Sequence, residues 1–382
     1  MTIGEVALHL CDGSHNPPVG IDFSEYPMLS SKNIFFDSYD YSEPRYLTKE
    51  QFDIENKRTN VSDGDILLTI VGTIGRVCCI KEPFQPFTLQ RSVAVIKPNK
   101  NIIISRYLMY CLCGLNAYFN KEAKGVAQKG IYLKQLSKIS IPVPPLQEQE
   151  RIVAELDLLT GVIDKQKQQL KELDTLAQSI FYDMFGNPVE NEKGWIVRKL
   201  GDVCGFVNGF AFKSEKFKKE GLPVLRISNI QNDIVKEDDM VYFSPSDYKE
   251  DFSKYQVIKG DIVIAMSGAT TGKLGVHIGS STYYLNQRVG KFLPSKTTLN
   301  KSYLLYYLKS MSAQILNDAM GVAQPNISSG QIKGYDILVP PMDAQISFAT
   351  IINTIASQKE SINRSLAESQ KLFDYTMDKY FG

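Results

Sequence analysis

The feature that most constrains this chain is that it is written twice. Sliding the sequence against itself by 196 positions brings Pro27 onto Pro223, Asn33-Ile34 onto Asn229-Ile230, Tyr46 onto Tyr242, Gly64-Asp65-Ile66 onto Gly260-Asp261-Ile262 and Gly72 onto Gly268. One inserted residue later Gln90-Arg91 falls on Gln287-Arg288. The first register then returns, with Tyr107-Leu108 on Tyr303-Leu304, Gly125 to Gln128 on Gly321 to Gln324, and Val143-Pro144-Pro145 on Val339-Pro340-Pro341. A period this long is too large for a solenoid repeat, so each copy is a folded unit of its own. Within each copy, short β-branched runs such as 65–71 and 91–96 read as strands, and 105–119 and 302–318 read as helices, which makes the unit α+β.

After each Pro-Pro pair the periodicity changes. From Gln147 to Met184 apolar residues recur at Ile152, Leu156, Leu159, Ile163, Leu170, Leu173, Ala177, Ile180 and Met184, a spacing of 3 and 4 that skips only at Gln166. The second copy keeps Phe348, Ile352, Ile355, Ile362, Leu366, Phe373 and Tyr380 but puts Lys359, Ser369 and Thr376 in the seam. The prolines fix the chain before each helix starts, and Gly186-Asn187-Pro188 ends the first. Two seams of matching length, with a globule between them, predict an antiparallel coiled coil. Roughly 38 residues at about 1.5 Å each give a rod of about 57 Å, more than the roughly 34 Å of one DNA turn. The expected division is therefore globule 1–145, helix 146–186, globule 187–341 and helix 342–382.

The net charge of +1 divides unevenly: +2 over residues 1–145, −5 over 146–190, +5 over 191–341 and −1 over 342–382. Mildly basic globules permit nucleic-acid contact without proving it. Six cysteines form no C-x-x-C pair and only three histidines are present, so a structural zinc site is hard to assemble and the thiols are expected to be free and mostly buried. Neither a signal peptide nor a membrane span is supported, and a cytoplasmic location is expected.

Two globules in tandem, each followed by a V-P-P-L-Q-E-Q-E-R-I-like run and a long helix, resemble the specificity subunits of type I restriction-modification systems. The run is Val143 to Ile152, with a degenerate copy at Val339 to Ile346, and Trp195 to Val203 is similar to the family's usual domain opening. The first copy opens at Thr2-Ile3-Gly4-Glu5-Val6, without the Trp195 lead-in. The resemblance covers essentially the whole chain. It implies two target-recognition domains reading a bipartite duplex DNA target, two helices acting as a ruler for the unread spacer, and docking of methyltransferase and restriction (translocase and endonuclease) subunits. It implies no chemistry, cofactor or metal in this chain itself.

Residues suited to DNA contact recur in both copies. A strand runs into a Gly-rich loop ending in a cation, Thr69 to Arg76 and Ser267 to Lys273. There backbone N–H groups can approach phosphate while Thr73, Thr270 and Thr271 donate hydrogen bonds and Arg76 or Lys273 supplies charge, although a tight turn between strands needs the same residues. Gln90-Arg91 and Gln287-Arg288 suit base contact, since Gln pairs bidentately with adenine and Arg with guanine. A pair common to both copies could equally serve the backbone, because domains reading different sequences should differ where they read. Gln128, Gln324 and Asn326 mark a second recurring polar loop, and Lys213 and Lys216 belong to a basic cluster suited to phosphate or simply to solvent. The divergent stretches 15–26 and 210–221, with 37–43 and 233–239, are where half-site identity is expected.

Other motifs fail on inspection. Asn16-Pro17-Pro18-Val19 lacks the aromatic residue of an amino-methyltransferase signature. Gly268 to Leu274 is one residue short of a P-loop and has leucine where magnesium needs a hydroxyl. His9, His15 and His277 are scattered, leaving general acid-base chemistry without a centre. A stand-alone type II enzyme would need a methyl-donor or metal site that the sequence does not present. A coiled-coil scaffold without a DNA role would bind no duplex.

Overall fold

The computed structural model describes residues 1–123, 130–320 and 325–382. The chain forms two compact units, one of Met1–Lys167 with Asn363–Gly382, the other of Gln168–Ile362. Each unit thus holds one globule and part of both long helices, Leu146–Phe185 and Met342–Phe381.

In the first unit, Ala7–Asp12, Val93–Pro98, Ile66–Thr69 and Val77–Cys79 form an antiparallel sheet in that spatial order. Its central stretches, Ile66 to Leu68 and Val93 to Ile96, are apolar without a break because both faces are covered. Ile66, Leu68, Ala94 and Ile96 face a core shared with the helix Ser105–Gly114, while Leu67, Val93 and Val95 face a second core with Leu29, Ile34 and Phe87. A small mixed sheet joins Arg45–Tyr46, Pro27–Leu29 and Thr88–Leu89.

The second unit repeats this plan around Cys204–Asn208, Val289–Pro294, Ile262–Ala265 and Leu274–Val276, and its sheet is extended by the hairpin Ile230–Gln231 and Ile234–Val235. The strand after Trp195, Ile196–Lys199, pairs with Asp336–Val339. At the corresponding place in the first unit Thr2 bridges Ser140, and Ile141 N donates to Met1 O. The two helices expected at 105–119 and 302–318 are each broken in two, at Leu115 and Met311, where the backbone leaves the helical region. The turn lets the shorter second piece lay Phe119 or Ile315 into the core.

The long helices run antiparallel in each unit. In the first, Arg151 donates to Tyr380 Oη at 3.0 Å and Gln166 donates to Ser365 Oγ at 2.8 Å. In the second, Lys359 pairs with Asp174, and Phe181 and Phe185 meet Phe348 at ring-centre distances of 5.7 and 5.4 Å. Of the three polar residues in the seam, Lys359 reaches out to a carboxylate and Thr376 is buried with its hydroxyl donating back to Leu372 O at 2.8 Å, so these two are satisfied. Phe181 and Phe185, outside the expected seam, are fully buried, because the helix end also docks on the second globule.

Candidate nucleic-acid interface

The backbone framework corrects the alignment of the two copies at the Gln-Arg pair. In the first unit Gly75 N donates to Thr69 O, whereas in the second Gly272 N donates to Ala265 O. The extra residue therefore sits in the second Gly-rich loop, and strands Val77–Cys79 and Leu274–Val276 correspond at an offset of 197. The residue is given back before the next strand. Gln90 N donates to Leu29 O and Asn286 N to Leu225 O; Ile70 N donates to Ser92 O and Met266 N to Arg288 O. The true counterparts are Gln90 and Asn286, Arg91 and Gln287, Ser92 and Arg288. Matching by side-chain identity misled because the loop insertion and its compensation leave a one-residue coincidence.

Both turns close with the same bond, Val93 N to Gln90 O at 3.0 Å and Val289 N to Asn286 O at 2.8 Å. Both press on a glycine of the first sheet strand's end: a Cβ on Gly13 would stand 2.1 Å from Leu89 O, and one on Gly209 would stand 2.0 Å from Asn286 O. The backbone of this place is thus fixed in both copies. Arg91, Gln287 and Arg288 are exposed, and among the described residues their side chains have no hydrogen-bond or ion-pair partner. Arg91 lines a cleft of about 200 Å³ with Asp12, His15, Val71 and Tyr132. There Asp12 is buried and held by Arg58, and His15 Nε2 lies 2.8 Å from its carboxylate.

The other candidates divide. Arg76 is committed to the fold: its guanidinium donates to Ile34 O at 3.2 Å and lies 5.1 Å from the centre of the Phe35 ring. Thr73 is exposed, and its carbonyl accepts the Thr69 hydroxyl. Thr271 is buried and donates to Gly268 O at 2.7 Å and Pro325 O at 3.0 Å, so it closes its loop. Thr270 is half-buried with its hydroxyl unpartnered. Lys273 is exposed beside a groove of about 640 Å³ that also holds Asp233 and Lys309. Lys213 is exposed, whereas Lys216 reaches Asp247 O and lies 4.6 Å from the Tyr248 ring centre. Gln128 and Gln324 lie outside the described residues. Asn326 bridges Ser267 as Gly130 bridges Val71.

Against this geometry stand the comparisons with known proteins. The type I restriction modification DNA specificity domain matches the chain twice, over residues 24–175 and 192–369. The chain belongs to that family. Among curated relatives of this specificity-subunit family, the type I restriction enzyme MjaVIII specificity subunit of Methanocaldococcus jannaschii is 26% identical over 79% of this chain and 74% of its own length. The MjaIX specificity subunit of the same organism is 22% identical over 99% of this chain and 90% of its own. The crystal structure of a type I restriction-modification S subunit from M. genitalium shares the fold, with a TM-score of 0.60 at 15% identity over the whole of this chain and 95% of that one.

In this specificity-subunit chain the duplicated run after the prolines has a definite structural task, which sequence reasoning missed. Gln149 is fully buried; its Oε1 accepts from Ile104 N at 2.9 Å, and its Nε2 donates to Ile102 O at 3.0 Å and Pro144 O at 2.8 Å. Gln345 does the same to Asn300 N, Thr298 O and Pro340 O. Each glutamine clamps its long helix to the globule before it. Its persistence in the degenerate run Pro340 to Gln345, where Leu, Gln and Glu are lost, was the available signal. Trp195 in turn donates from Nε1 to Phe185 O at 2.9 Å, capping the end of the first long helix. Among the described residues no group of three or more His, Cys, Asp or Glu is placed to hold a metal, and no helix is long and apolar enough to cross a membrane.

Proposed function

We propose that this chain is the non-catalytic DNA-reading subunit of a type I restriction-modification complex. Residues 1–145 and 187–341 serve as target-recognition domains for the two halves of a bipartite duplex target, and residues 146–186 and 342–382 serve as the helices that hold their separation. Methyltransferase subunits and restriction subunits join it in the cytoplasm, and it needs no cofactor of its own. The observation that carries this reading is one backbone framework built twice, with the same turn presenting Gln90, Arg91 and Ser92 in one copy and Asn286, Gln287 and Arg288 in the other. A shared frame with different side chains is what reading two different half-sites requires. Thr73, Thr270 and Lys273 on the loops, with Lys213 and Asn326, are proposed as supporting contacts to DNA. Arg76, Thr271 and Lys216 are assigned to holding the loops.

The test is to map methylated bases across the genome of a host expressing this chain with its neighbouring methyltransferase subunit. Adenine methylation at one split motif with a fixed spacer, lost when this chain is omitted, is the expected result. Methylation that is absent, or the same without this chain, overturns the proposal.

A further inference from the structure

Two copies of a fold that read different DNA must keep the frame and change the reader, and among the described residues both conditions meet at one turn of each unit. The frame is the turn 90–93 against the strand end at 12–14 and the segment 130–132, and in the second unit 286–289 against 208–210 and 326–328. The same backbone bonds tie these segments in each unit: Gly13 N to Val93 O and Gly209 N to Val289 O, Ser14 N to Leu89 O and Phe210 N to Leu285 O, Ile131 N to Ile70 O and Ile327 N to Met266 O, every one between 2.7 and 3.1 Å. The side chains on this frame do not correspond in chemistry. Around Arg91 stand Asp12, His15 and Tyr132; at the equivalent positions around Gln287 stand Asn208, Ala211 and Ser328. One site is ionic and the other neutral and amide-bearing. Arg76 and Lys216 are spent on the protein, whereas Arg91 and Gln287 project from a rigid turn with no partner among the described residues.

We propose that Arg91 and Gln287 are the paired base-reading residues of the two domains, Arg91 selecting a guanine in one half-site and Gln287 an adenine in the other. Arginine matches the two acceptors O6 and N7 of guanine, and glutamine matches the N6 donor and N7 acceptor of adenine, in the major groove. Asp12 lines the same cleft but is held by Arg58 and lies beside His15 rather than pairing with Arg91, which leaves the Arg91 guanidinium fork available to a base edge. The inference rests on the proposed function, and its failure is distinguishable from a failure of that reading.

The experiment uses the full chain assembled with its methyltransferase subunits. Binding is measured by competition on duplexes carrying the mapped motif and every single-base replacement in it, for the unaltered chain, Arg91→Gln and Gln287→Arg. The expected result for Arg91→Gln is loss of roughly 5- to 150-fold discrimination at one guanine of one half-site, with discrimination throughout the other half-site retained. That retention also certifies that the variant is folded. Gln287→Arg is expected to do the converse at one adenine. Discrimination unchanged at every position overturns the proposal. So does weakening that is equal for all sequences with a shallower salt dependence, since that is the signature of a phosphate contact. If the unaltered complex recognises no split motif at all, it is the function proposed above that falls.

Discussion

At the scale of single residues, the side chains that hold the fold and those free to meet a ligand separate by their partners. Replacing Gln149 by Met keeps the volume but strands Ile104 N–H and the carbonyls of Ile102 and Pro144. Leaving such groups buried and unpaired is expected to cost about 2–5 kcal/mol in denaturant unfolding, and Gln345→Met should cost the same. A loss below about 1 kcal/mol would mean that the clamp is incidental. Arg76→Ala removes the bond to Ile34 O and the contact with Phe35; it should lower stability by about 1–2 kcal/mol while leaving duplex affinity nearly unchanged, as gel-shift titration would report. The cysteines are free, and five are buried. Burial pushes the Cys79 and Cys113 thiols up to about 11 and Cys204 up to about 12. These groups are therefore protonated well above neutral pH, so iodoacetamide at pH 8 should label the native chain slowly and all six cysteines only once it is unfolded.

At the scale of elements, the seam between the long helices in each unit carries polar residues among the apolar ones. Gln166 donates to Ser365, yet its Oε1 is buried without a partner, as is Nε2 of Gln178. A polar pair such as Gln166 and Ser365 sacrifices stability for a single register. The double substitution Gln166→Leu with Ser365→Leu should raise the melting temperature of the chain and loosen the choice of register, seen as heterogeneous crosslinking between cysteines placed on the two helices. A lower melting temperature would contradict this. The heptad spacing made these helices legible before any coordinates, because one face of each must be covered and each offers the other the simplest cover. The strands at 66–69 and 93–98 were legible as strands, but which residue faced which core was not, since both faces of the sheet are buried and alternation is lost.

At the scale of the whole molecule, modularity is the prediction. Exchanging residues 12–62 for those of another specificity subunit should change one half-site and leave the other and the spacer intact. Inserting four residues near Gln166, with the second helix lengthened to match, should change the spacer alone, each insertion adding about 6 Å of helix. Methylation mapping reads both, and a change in both half-sites from the first exchange would end the modular reading. The duplication, the order of globule and helix, and the family resemblance were all determined by the sequence alone, because periodicity and repeated turn residues are local properties that survive without coordinates. Which side chains correspond at the reading turn was decided only by the tertiary structure. The extra residue of the 265–272 loop is compensated before the next strand, and only the hydrogen bonds to Leu29, Leu225, Ile70 and Met266 show that Arg91 stands where Gln287 does. The partners of Gln149 and Gln345 were likewise not readable from the sequence, where only the glutamine's persistence showed: apart from Pro144 O and Pro340 O they lie about 45 residues away, and all are backbone groups, which carry no residue identity.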